Sequence, residues 1–140
     1  MKNKYYTFLE MKTLYKGIKS ITTAKMEESS FLKTVGNSPL ARVLDFLLEN
    51  RDFDYSLSDI CRHADVGWTT LHTFWSQLEK SRIVKHTRIS GKAKMYKLNT
   101  SNPVVHALME FDFQISKYYG ELELERQGYK VGAKKHIGYA

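Results

Sequence analysis

Between Leu57 and Leu98 the chain passes from helical periodicity through a break, back to helical periodicity, and then into the alternation of strands. That order constrains the fold more than any other feature of the sequence. Ser58 can cap a helix over Asp59-Ile60-Cys61-Arg62-His63-Ala64, because a serine hydroxyl satisfies an orphan N–H at a helix start. Asp65-Val66-Gly67 breaks the pattern: Gly67 is cheap in a turn or N-cap geometry, and Val66 is an apolar wedge between two helices. From Trp68 to Lys80, Leu71, Phe74 or Trp75, and Leu78 return at helical spacing and turn one face inward. Ile83 to Ile89 then reads as a strand, Ser90-Gly91-Lys92-Ala93-Lys94 as a turn, and Met95-Tyr96-Lys97-Leu98 as the returning strand.

The chemistry on this frame is that of a polyanion partner. The outward face of the second helix shows Trp68, Thr69, Thr70, His72, Thr73 and Ser76, mostly short polar side chains that let a helix approach base edges in a major groove. Trp68 either stacks on a sugar or thymine methyl or packs on its own neighbour. Between Lys80 and Lys97 there are seven Lys or Arg and no acid, a pattern suited to phosphates. Arg88, Lys92 and Lys94 are the first candidates there, with Lys85 beside them. Strand parity decides which of these cations face a duplex, and the sequence leaves that parity open.

Upstream, Asn37-Ser38-Pro39 starts a helix, and Leu40, Val43, Leu44, Leu47 and Leu48 form its apolar stripe through Glu49. Tyr55-Ser56-Leu57 is placed to add a third, short strand to the hairpin. Residues 1–30 form a basic extension, either a helix with Phe8, Met11, Leu14 and Ile18 on one side or a frayed terminus, and Met26 to Ser30 has the look of a mobile lead-in. Downstream, Asn102-Pro103 is another helix start. Val104, Leu108, Phe111, Ile115, Tyr118 and Leu122 then follow at alternating spacings of four and three, the seam of a self-associating helix. Such a helix reaches about 35 Å at 1.5 Å per residue, longer than a small domain needs for its own core. From about Gln127 onward Gly and Lys predominate, as in a flexible basic tail.

The expected division is therefore residues 1–30 as extension, 31–101 as the helix-turn-helix domain with its hairpin, 102–126 as a dimerisation helix and 127–140 as tail. The net charge of +7 is uneven: the ends and the hairpin are basic, and 103–125 is acidic. The single cysteine, Cys61, excludes a disulfide framework within the chain and reads as a packing residue. No apolar run approaches a membrane span or a signal peptide core, so no membrane partner and a cytoplasmic location are expected. The five His are scattered, and no metalloprotease motif, nucleophile elbow or phosphate loop is present, so neither an enzyme nor a cofactor is expected.

Ile60 through Val84 followed by Gly91-Lys92-Ala93-Lys94-Met95-Tyr96-Lys97-Leu98-Asn99 resembles the winged-helix transcription regulators of prokaryotes, of the broad MarR, ArsR and PadR kind. Asn102-Pro103-Val104-Val105-His106-Ala107-Leu108 is similar to a mainly archaeal group in which the wing strand runs into a long helix. The resemblance implies an α+β, mainly α fold: a winged helix-turn-helix with a β-hairpin wing and a long C-terminal dimerisation helix. It implies double-stranded DNA and a second copy of the chain as partners, and leaves any small-molecule effector undefined. Gly67-Trp68-Thr69 departs from the Ser-Arg-Ser that often opens the recognition helix in such proteins, which removes the usual guanine-reading arginine. Two rivals share the fold: a low-specificity DNA-organising or DNA-partition protein, and a protein-interaction adaptor.

Overall fold

The computed structural model describes residues 28–131, so the proposed N-terminal stripe and most of the basic tail lie outside the described residues. The described residues fall into two compact units, 28–114 and 115–131. The elements are α1 (Ser30–Val35), α2 (Pro39–Glu49), β1 (Tyr55–Ser56), α3 (Leu57–Ala64), α4 (Trp68–Lys80), β2 (Val84–Ser90), β3 (Ala93–Leu98) and α5 (Pro103–Arg126). The architecture is the winged helix-turn-helix that the sequence implies: mainly helical, with a small antiparallel sheet and a long last helix.

Three helices of the first unit, α1, α2 and α3, begin where a serine side chain satisfies an exposed N–H group. Ser38 accepts from the Ala41 N–H at 3.1 Å ahead of Pro39, as expected. The cap of α3 is Ser56 rather than Ser58: Ser56 Oγ accepts from Asp59 N–H at 3.1 Å while the Asp59 carboxylate returns to the Ser56 backbone, a capping box that draws Leu57 into the helix. α1 begins at Ser30, the last residue of the expected lead-in, and was not anticipated. Ser29 caps it, Phe31 and Leu32 are buried, and Gly36 ends it at φ 95°, where a side chain would be strained.

The core of this unit is built from Val43, Leu47, Leu48, Ile60, Leu71, Trp75, Leu98 and Val105, all fully buried. Each such side chain contributes about 1.5–3 kcal/mol on leaving water. The ambiguity between Phe74 and Trp75 resolves to Trp75, with Phe74 half-buried beside it. Leu40 is exposed, and Ala41 takes the buried position. Arg42, at the next position, reaches across to α3: its Nε donates to Ala64 O at 3.0 Å and an Nη to Asp65 O at 3.0 Å. Those carbonyls end α3, and Asp65 takes the left-handed conformation there at φ 52°.

The sheet order is β1-β3-β2, and both pairings are antiparallel. The expected five-residue turn is a two-residue one. Ser90 pairs with Ala93, and the positive φ that a tight hairpin needs falls on Gly91, at 62°. Farther back the register slips: His86 faces Tyr96 and Arg88 faces Met95, so Thr87 is an unpaired bulge residue.

Candidate nucleic-acid interface

α3, the turn Asp65-Val66-Gly67 and α4 form the helix-turn-helix, with Val66 buried as the wedge between the helices. Burying Leu71 and Trp75 rotates the rest of α4 outward. Trp68, Thr69, Thr70, His72, Thr73 and Ser76 are all exposed, and together they make up most of the solvent face of the helix. Trp68 is 53% exposed and meets His72 edge-on at 4.4 Å between centroids. Thr73 donates its hydroxyl to Thr70 O at 2.6 Å, which leaves its oxygen lone pairs outward as acceptors.

Gly67 is the N-cap of α4 and supplies no side-chain hydrogen bond, so the first backbone N–H groups of α4 have no side-chain cap. Its φ of −66° is open to any residue, and an added Cβ would meet only Thr70 Oγ1, at 3.9 Å. The glycine is therefore not demanded by backbone strain. Its visible effect is to leave the helix start bare.

In the wing, Lys85, Arg88, Lys92 and Lys94 are exposed. The pairing register answers the parity question. Lys85 lies opposite Lys97, and the Arg88–Met95 pair falls on the same sheet face, whereas Lys94, opposite Ile89, shares the face of Tyr96 and Leu98. Two like charges directly opposite each other on a sheet are unfavourable by themselves, and an anion on that face relieves them. Tyr96 is buried between Trp75, at 5.3 Å edge-on, and His86, at 5.6 Å, which ties the base of the wing to α4. Burial raises the Tyr96 hydroxyl above its ordinary pKa, as it does the Cys61 thiol. Cys61 itself is half-buried, less enclosed than a simple filler.

The candidate that the sequence did not mark is Asp54, in the loop before β1. Its carboxylate takes Arg88 Nε at 2.9 Å and an Arg88 Nη at 3.1 Å, and accepts the Thr87 hydroxyl at 2.6 Å. The Arg88 and Thr87 hydrogen bonds hold the Asp54 carboxyl down at about 2, and the same pair raises Arg88. Of the four wing cations proposed, Arg88 alone is engaged by an acid among the described residues.

The seam residues of α5 part company. In the first unit Val104 and Phe111 are exposed and Leu108 is half-buried. Leu108 and Phe111, with Phe31, Val35, Leu40 and Leu44, line an apolar groove of about 300 Å³, and Phe31 meets Phe111 edge-on at 6.4 Å. In the second unit Tyr118 and Leu122 are exposed and Ile115 is buried, so Ile115 is already covered within the protomer.

Among the described residues no helix is long and apolar enough to cross a membrane, and no cluster of His, Cys, Asp and Glu is placed to hold a metal ion. No family model and no curated protein matches the chain. Among solved structures the chain is similar to Sso10a-2, described as a DNA-binding protein from Sulfolobus solfataricus. The two are 13% identical, the match covers 65% of this chain and 96% of that one, and the TM-score is 0.41.

Proposed function

We propose that the protein binds double-stranded DNA sequence-specifically as a transcription regulator, with α4 in the major groove and the wing on the adjacent backbone. The observation that carries this reading is the division of α4. Leu71 and Trp75 are sunk in the core, while Trp68, Thr69, Thr70, His72, Thr73 and Ser76 stand exposed beside a wing that holds cations and no acid. Short hydroxyl and imidazole side chains can exchange hydrogen bonds with base edges, and the wing cations release counterions from phosphates. Two copies joined through exposed α5 residues such as Val104, Phe111, Tyr118 and Leu122 would present two α4 helices to half-sites about 34–36 Å apart.

The test is selection from random duplexes at about 150 mM salt, where non-specific electrostatic binding is already weakened. An enriched motif with two half-sites supports a dimeric regulator. Replacing His72 and Thr73 together by Ala is expected to cost about 1–3 kcal/mol of discrimination per lost base contact, with the unfolding midpoint unchanged. Uniform binding to all duplexes would favour the DNA-organising role, and binding to none would favour the adaptor.

A further inference from the structure

Asp54 lies outside both the helix-turn-helix and the hairpin, yet its carboxylate grips two consecutive wing residues. The bulge makes this reach available. Thr87 has no residue opposite it in the pairing register, its hydroxyl lies 3.3 Å from Met95 O across the hairpin, and the slip brings the Thr87 hydroxyl and the Arg88 guanidinium to one carboxylate oxygen, Oδ2. An exposed ion pair of this kind contributes little to stability, and it offsets a cation on a surface otherwise built from cations. Its main effect is geometric. A planar guanidinium held through Nε and one Nη has lost its rotamer freedom, and the hydrogen bonds to Asp54 use one edge of the fork only. The adjoining end-on edge, formed by the two Nη groups, is the one that can make paired hydrogen bonds to a base edge or a phosphate, and Arg88 remains 62% exposed. Arg88 also shares its sheet face with the like-charged pair Lys85 and Lys97.

We propose that Asp54 is a positioning residue for DNA recognition: it clamps Arg88 from the side so that the open edge of the guanidinium meets the duplex as a fixed fork. Arg88 then becomes a specificity-determining contact, in contrast to the mobile phosphate cations Lys92 and Lys94. The inference rests on the DNA-binding reading given above.

The experiment uses the full chain and the duplex enriched by selection, with a random duplex as competitor, and compares wild type, D54N, R88A, R88K and the D54N/R88A double variant. D54N, R88A and R88K are each expected to lower the preference for the selected duplex about 5- to 100-fold. The double variant should lose no more than R88A alone, since the two residues act as one unit. R88K keeps the charge and should keep the salt slope while losing the preference. A readout without DNA runs in parallel: the Arg88 Nε–H should give a slowly exchanging proton resonance in wild type that is lost in D54N, with thermal melts showing that both are folded. Tighter binding of D54N to every duplex, with a steeper salt slope, would overturn the proposal and make Asp54 a restraint on Arg88. Unchanged preference in D54N or R88A would overturn it as well. Wild type that binds no duplex removes the DNA reading and this inference together, an outcome visible before any variant is made.

Discussion

Asn102 uses one side-chain amide to close three backbone groups. Its Oδ1 accepts from the Val104 N–H at 2.8 Å, and its Nδ2 donates to Ser81 O at 3.1 Å and Arg82 O at 2.9 Å. Arg82 sits in the left-handed region at φ 58°, and Asn99 also donates to its carbonyl, at 3.0 Å. A non-glycine residue held there costs about 1 kcal/mol or more, so these amides fix a strained corner between α4 and β2. Asn102→Ala is expected to lower stability by about 1–2 kcal/mol, from the lost cap and the lost bonds to the Ser81 and Arg82 carbonyls, as a shift of the urea midpoint with unchanged slope. Asn102→Ser, which keeps the cap, should recover part of that loss. The Asn102-Pro103 start was legible because capping is local; the reach back to Arg82 was not, because it depends on where α4 ends in space. Asp54 adds a pH dependence whose sign is set by its lowered pKa. The carboxylate favours the folded state above the ordinary pKa of 3.8, and this contribution fades as the pH falls through about 2. Amide shifts of Thr87 and Arg88 should titrate near the lower value and lose that transition in D54N.

Among the elements, α4 was the most legible, since its helical period, the glycine before it and the change of period after it all act within a few residues. Its observed limits, Trp68 and Lys80, are those expected. The wing was legible as a hairpin but not in its turn or its bulge. A one-residue slip is decided by which side chains find partners on other elements, here Asp54, and leaves no periodic mark. α1 was missed because a single turn and a half carries too few residues for a period, and Phe31 and Leu32 show their role only once packed. Gly67 permits a direct test of the bare α4 start. Gly67→Ser is expected to stabilise the fold by a few tenths of a kcal/mol by supplying the missing cap. It should also weaken binding to all duplexes, because the new hydroxyl competes with phosphate for the same N–H groups. Equal affinity with a raised melting temperature would mean that this helix start does not touch DNA.

At the scale of the whole molecule, the exposed apolar residues of α5 and the open edge of the sheet both bear on contact with other copies. Tyr118 and Leu122 are exposed, so replacing both by Glu should leave the protomer folded and shift the sedimentation mass toward monomer. Affinity for a two-half-site duplex should then fall far more than affinity for a single half-site, through loss of linked binding. A wild type that is monomeric at tens of micromolar ends the dimer reading. The edge has a different consequence. Among the described residues β2 is the longer of the two edge strands, with Ile89 bare near its tip, and an open strand of that kind invites pairing with any extended chain it meets. Lys85, Arg88 and the kink at Thr87 are features that blunt such an edge, by charge and by misalignment. Stripping those cations to weaken polyanion binding therefore exposes a seed for intermolecular sheet growth, and crowded or salt-rich surroundings would bring it out first.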